Sequence, residues 1–174
     1  LQVFSSPFGN YTPPYLYLLS ALSLLDGLMW TFYLIKCLAW LGAAWLMLGT
    51  YRLLQALDAD PQLSILVAFL PSIAANTSLL GQADTFWAAP CVFALAAAVR
   101  ERWIAVAVWS GLAFAFKAQA VFFAPFVLHT FVSRRVPLRV WPLAPAVYVG
   151  AMVPSWLMGW PAWDLATIYV RQAQ

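Results

Sequence analysis

Charge is scarce in this sequence. Only 9% of its residues are Asp, Glu, Lys or Arg, against about 25% in soluble globular chains, and so little charge cannot clothe an ordinary water-facing surface. Histidine occurs once and cysteine twice. Cys37 and Cys91 fall inside apolar runs with no paired spacing, so neither a disulfide framework nor a metal site is indicated; both read as small buried apolar side chains. No glycine-rich phosphate loop, zinc signature or serine triad pattern is present. The net charge of +3 is small, and the arginines lie in short loops between apolar runs, so nucleic acid is not an expected partner. The chain starts Leu1-Gln2-Val3, with no Met and no basic segment ahead of an apolar one. No signal peptide is visible, and the chain is expected to be a piece of a longer protein.

What fills the sequence is apolar. Hydrophobic residues make up 64%, with 10 Trp and 7 Tyr, rings that suit helix ends at two membrane interfaces. The expected fold class is all-α: a polytopic transmembrane helix bundle of about five to six membrane helices plus an interfacial helix, in one transmembrane domain. Met29 to Tyr51 is about 23 residues long, enough at ~1.5 Å per residue to cross a hydrocarbon core of ~30 Å. Asp58, Asp60 and Pro61 then signal a loop and a restart. Gln62 to Leu80 predicts a second span bent at Pro71, and Thr85 to Val99 a third that stops at Arg100-Glu101-Arg102. Trp103 to Phe116 and Ala118 to Val132 are each shorter than the ~20 residues of a perpendicular span and predict a helical hairpin with Lys117 at a shallow tip. Val140 to Trp156, interrupted by Pro142, Pro145 and Pro154, is the last span. Tyr15 to Leu25 is too short to cross and predicts an interfacial or re-entrant helix.

The bias of arginines to the cytoplasmic side places Arg52, Arg100, Arg102, Arg134, Arg135 and Arg139 inside and leaves Arg171 outside. That orientation gathers the Gly81 to Asp84 loop, the Lys117 tip and the tail from Met158 on the outer face. A charge near a bilayer centre costs about 2.5–3.5 kcal/mol on insertion scales, so each needs a reason. Asp84 at a helix start either caps exposed amides or serves a site, and Gln82 beside it adds a polar group that capping does not require. Lys117 either snorkels from the tip or, with Gln119, receives a phosphate as a point charge with an amide donor. Lys36 has no polar partner nearby in sequence and reads as a snorkelling lysine. Tyr11, Tyr15 and Tyr17 around Pro13-Pro14 either line a pocket or anchor at the interface. His129 falls near an inner helix end and reads as structural. Asn10-Tyr11-Thr12 and Asn76-Thr77-Ser78 match the glycosylation sequon, but Asn76 lies in a predicted span and such short matches are often accidental.

Three segments read in order carry a resemblance: Asn10-Tyr11-Thr12-Pro13-Pro14-Tyr15-Leu16-Tyr17, Gly81-Gln82-Ala83-Asp84 and Phe116-Lys117-Ala118-Gln119-Ala120. The chain resembles the polyprenyl-phosphate-sugar-dependent glycosyltransferases of the C-type superfamily, above all bacterial relatives of the second mannosyltransferase of GPI-anchor synthesis. A weaker likeness runs from Tyr169 to Gln172. Thr12 departs from the family's tyrosine-proline run, and Ala118 stands where a proline often follows the lysine.

The resemblance implies a membrane glycosyltransferase that moves a hexose, with mannose the family's suggestion, from a polyprenyl phosphate to a lipid or glycan acceptor hydroxyl on the outer face of a bacterial plasma membrane, with inversion. It makes Asp84 and Lys117 the catalytic candidates and Tyr11, Tyr15, Gln82, Gln119, Arg171 and Gln172 the substrate-binding ones. It assigns no cofactor, although a divalent cation is compatible with it. It also implies an essential acidic residue in an outer loop ahead of Leu1, which would leave Asp84 a supporting role. Two other readings stand beside it. A transporter or channel subunit would use the Asp84 and Lys117 charges as an intramembrane site, and a non-catalytic scaffold would tolerate replacement of Gln82, Asp84 and Lys117.

Overall fold

A computed structural model describes residues 12–25, 30–80 and 83–169, and every regular element among them is helical. The helices are α1 (Pro13–Ser23), α2 (Thr31–Ala56), α3 (Pro71–Ala74), α4 (Asp84–Val99), α5 (Trp103–Phe116), α6 (Ala124–Ser133), α7 (Leu143–Leu157) and α8 (Ala162–Ala166). Tighter 3₁₀ segments cover Pro61–Phe69, Ala118–Phe123 and Leu138–Val140, and a wider π-helical turn covers Ala75–Leu80.

Proline sets several of the breaks. A residue preceding proline is pushed out of the helical region by the ring, and Thr12, Asp60 and Leu70 all adopt extended backbone for that reason. At Leu70 the consequence is a bend of 56° between Pro61–Phe69 and Pro71–Leu79, the break expected at Pro71. Four helices end with a left-handed residue. Asp58, Glu101 and Arg135 have φ near +50°, and Gly159 has φ +100°. In each case the next amide reaches back to a carbonyl in the last helical turn: Ala59 to Leu54, Arg102 to Ala97, Val136 to Phe131 and Trp160 to Ser155, all at 2.9–3.0 Å. This is the Schellman arrangement, and its apolar contact is present where Val136 packs with Phe131.

By length and composition two helices are able to cross a bilayer, α2 and the stretch Leu138–Leu157, or three if the bent pair counts as one. The larger number expected from the apolar runs also includes α4, α5 and the Ala118–Ser133 segment, which are apolar but shorter.

α2, α4, α5 and α7 pack side by side through close approaches. A Cβ on Gly42 would collide with Thr85 Oγ1 and lie 2.8 Å from the Phe86 ring, and one on Gly111 would collide with the Ala144 carbonyl. Small residues at such crossings let helix backbones approach where lipid supplies no hydrophobic drive. Between α2, α4 and α5 runs a column of rings. Trp45 lies 6.0–6.3 Å from Phe86, Phe93, Trp109 and Phe116, and Phe93 stacks on Trp109 at 4.7 Å.

α1 is less peripheral than expected. Thr12 to Leu16 are buried, and Leu16 packs in one cluster with Ala115, Met152, Trp160 and Ile168. Tyr17 Oη meets the Ala151 carbonyl, Ser155 Oγ and the Ser155 amide at 3.0–3.2 Å. Only the far end of α1 is open, with Leu24 84% exposed.

Two residue assignments need correction. Cys91 is buried as expected, but Cys37 lies on the outer side of α2 and is exposed, because an apolar face toward lipid and one toward the core look alike in sequence. Lys36 does have partners. Its Nζ donates to the Ser78 and Leu79 carbonyls at 2.7 Å each and lies 5.3 Å from the centre of the Phe32 ring. The carbonyls at the end of the π-helical turn lack intrahelical donors, which gives the ammonium a reason to reach across.

Candidate functional site

The site grows from the two ends of α5 and α4 that meet. α5 stops at Phe116, and Lys117 is extended at φ −158°, before the chain tightens into the Ala118–Phe123 segment. The last carbonyls of a helix have no internal donors, and two distant residues supply them. Thr12 Oγ1 donates to the Phe116 carbonyl at 2.8 Å, and Tyr169 Oη donates to the Phe114 carbonyl. Thr12 thus holds the backbone next to Lys117. Burial pushes the Tyr169 phenol above its ordinary range; neighbouring Tyr148 adds to this, and a hydrogen bond with Thr12 opposes it.

Held there, Lys117 Nζ pairs with Asp84 Oδ1. Asp84 opens α4, where the helix dipole favours a carboxylate. Its second oxygen accepts from Asn76 Nδ2 at 3.3 Å. The pair is half-buried, with side-chain exposures of 23% for Lys117 and 32% for Asp84. Asn76 was missed in the sequence because its sequon reading and the surrounding apolar run hid it. The signal available was the polar triplet Asn76-Thr77-Ser78 inside a span, eight residues before an aspartate.

Tyr15 lies beneath this cluster, 4% exposed, packed with Ala83, Phe86 and Phe116; its ring meets Phe86 edge-on at 5.9 Å. Gln119 is exposed on the 3₁₀ segment beyond Lys117. Tyr11, Gln82, Arg171 and Gln172 lie outside the described residues. No family model, curated protein or solved structure matches this chain.

Three further features bear on the chemistry. One turn after Asp84, the Trp87 indole N–H is buried with no hydrogen-bond partner among the described residues. An apolar groove of about 360 Å³ lies between α5, α6 and α7, lined by Phe114, Ala120, Phe123, Val127, Pro145 and Tyr148. Among the described residues no three His, Cys, Asp or Glu side chains gather where they could hold a metal ion. His129 meets Ser133 Oγ at 3.3 Å on an exposed face of α6, where both contribute only to their own helix.

Proposed function

We propose that this chain is the part of a membrane hexosyltransferase that holds a polyprenyl-phosphate sugar, with mannose the sugar the resemblance suggests, for transfer to an acceptor hydroxyl at the outer face of a bacterial plasma membrane. In this reading α4, α5 and the Ala118–Ser133 segment also lie within the bilayer, as five to six membrane helices require. The observation that carries it is the Asp84–Lys117–Asn76 cluster, with an apolar groove that Ala120, three residues beyond Lys117, helps to line. The donor's phosphate would compete with Asp84 for the Lys117 ammonium while its isoprenoid tail lies in the groove.

The acceptor oxygen attacks the anomeric carbon from the side opposite the phosphate, and the carbon–oxygen bond to the phosphate breaks with inversion. A carboxylate takes the acceptor proton; the resemblance implies an acidic outer-loop residue for that step and a supporting role for Asp84, which in this reading holds Lys117 and Asn76 in place. Lys117 balances the charge gathering on the departing polyprenyl phosphate. Such electrostatic stabilisation commonly supplies a large part of catalysis.

The test is release of polyprenyl phosphate from a panel of polyprenyl-phosphate sugars by the full-length protein in nanodiscs. Donor-dependent release that is lost in Asp84→Asn and Lys117→Ala supports the reading; unchanged release in both removes these residues from the mechanism. One observation favours a second reading. The bend at Leu70, followed by a π-helical turn that carries Asn76 to Asp84, is the kind of broken helix that lines transporter sites. Solute flux in liposomes with no turnover of any donor would put a secondary transporter or channel subunit first.

A further inference from the structure

At the end of the bundle opposite Asp84, α2, α4 and α5 enclose a second cavity of about 340 Å³, within the range of small-ligand sites of ~300–1,000 Å³. Its rim carries Arg52 from α2 together with Arg100 and Arg102 from the turn between α4 and α5, and its floor is the stacked pair Phe93 and Trp109. All three arginines are exposed. The intervening acid does not neutralise them: Glu101 sits at φ 54° in the left-handed turn and pairs instead with Arg134 at 3.4 Å. Among the described residues no carboxylate pairs with Arg52, Arg100 or Arg102.

A bias of arginines toward the cytoplasm accounts for their side of the membrane but not for their convergence on one cavity. Guanidinium forks match phosphate oxygens two at a time, and an aromatic floor beneath them offers apolar contact to whatever carries the phosphate. We infer that this cavity is a phosphate site that takes the headgroup of an anionic phospholipid from the leaflet at that face, with the phosphodiester on the three guanidiniums and the glycerol end against Phe93 and Trp109. Basic pockets between membrane helices on this side are known to suit such headgroups. The inference is independent of the transferase reading, since none of these residues touches the Asp84 cluster.

The experiment compares retention of phosphatidylglycerol and phosphatidylcholine by the full-length protein in native mass spectrometry, with thermal unfolding in phosphatidylcholine nanodiscs to confirm folding. Wild type should retain phosphatidylglycerol selectively. Arg52→Gln/Arg100→Gln/Arg102→Gln should lose that preference by about tenfold or more, the loss expected when charge-assisted hydrogen bonds are removed. Ala105→Phe, which fills the cavity without touching a charge, should lose it as well. Arg139→Gln, an exposed arginine outside the cavity, should keep it. Equal retention in wild type and the filled variant overturns the site. Stabilisation of the protein in neutral detergent by inorganic phosphate, with no selective lipid retention, overturns the lipid assignment in favour of a soluble phosphate.

Discussion

At one end of the bundle formed by α2, α4 and α5, a lysine and an aspartate face each other half-buried, with an asparagine on the free carboxylate oxygen. At the other end, three arginines stand exposed around a cavity, and among the described residues no carboxylate pairs with them. The difference follows from solvation. A charge withdrawn from water must be compensated by a partner or it shifts the balance against folding, whereas an exposed guanidinium is compensated by water and stays available. A phosphate binding at Lys117 therefore competes with Asp84, and in the proposed transfer this competition strengthens as the singly charged phosphodiester of the donor becomes the more highly charged monoester that departs. Anions reaching the arginines displace only water.

The largest expected contrast between the two ends is in turnover. Asp84→Asn/Lys117→Ala should reduce donor-dependent release of polyprenyl phosphate by about 100-fold or more, the scale of losing a charge stabiliser, while Arg100→Gln changes it less than about twofold. Comparable losses in both would break the comparison. Stability should behave differently from activity at the same pair. Lys117→Ala alone should cost about 1–3 kcal/mol, between the exposed and buried limits, and the double variant should recover most of it because no orphaned charge remains. Chemical denaturation of the four members of that cycle measures this. Glu101→Gln, which breaks the exposed pair with Arg134, should cost less than about 0.5 kcal/mol in the same assay.

Larger than the Glu101 effect is that of Thr12→Val, expected to destabilise by about 1–2 kcal/mol by leaving the Phe116 carbonyl without its donor, and to lower turnover through misplacement of Lys117. A variant of ordinary activity would show that Lys117 does not depend on this anchor. The smallest effect concerns the tail. The protonated Tyr169 phenol is the form that donates to Phe114, and its raised pKa means the folded state holds that proton more tightly than the unfolded chain. Its contribution is thus present below pH about 10 and lost as pH rises through the raised value. The Tm deficit of Tyr169→Phe should be constant at neutral pH and shrink above about pH 10. A deficit that grows with pH would contradict this sign.

Much of the helix layout was legible in the sequence because apolar runs, prolines and short charged loops act locally. Lys117 was expected between Phe116 and Ala118 and breaks the chain there, and the bend near Pro71 is present. Asp84 and Lys117 stood out as charges in apolar surroundings, but their contact spans 33 residues and no local pattern encodes it. The partners of Lys36 lie 42 and 43 residues away and were invisible for the same reason. Cys37 was misplaced because hydrophobicity reports burial only where the alternative is water. Asn76 was hidden by its sequon and apolar surroundings, and the wider period of a π-helical turn also keeps its face from being read by α-helical spacing.

The tether formed by Lys36 has a mechanical consequence. The segment from Pro71 to Leu80 brings Asn76 to Asp84, and α3 within it is a single turn preceded by a bend. One flexible side chain from α2 clasps its far end through two carbonyls. Acylation of that amine would remove its charge and leave one N–H for two carbonyls, loosening the clasp on the segment that carries Asn76. The spacing of the Asp84 cluster is in this sense set by a latch whose own atoms never enter it.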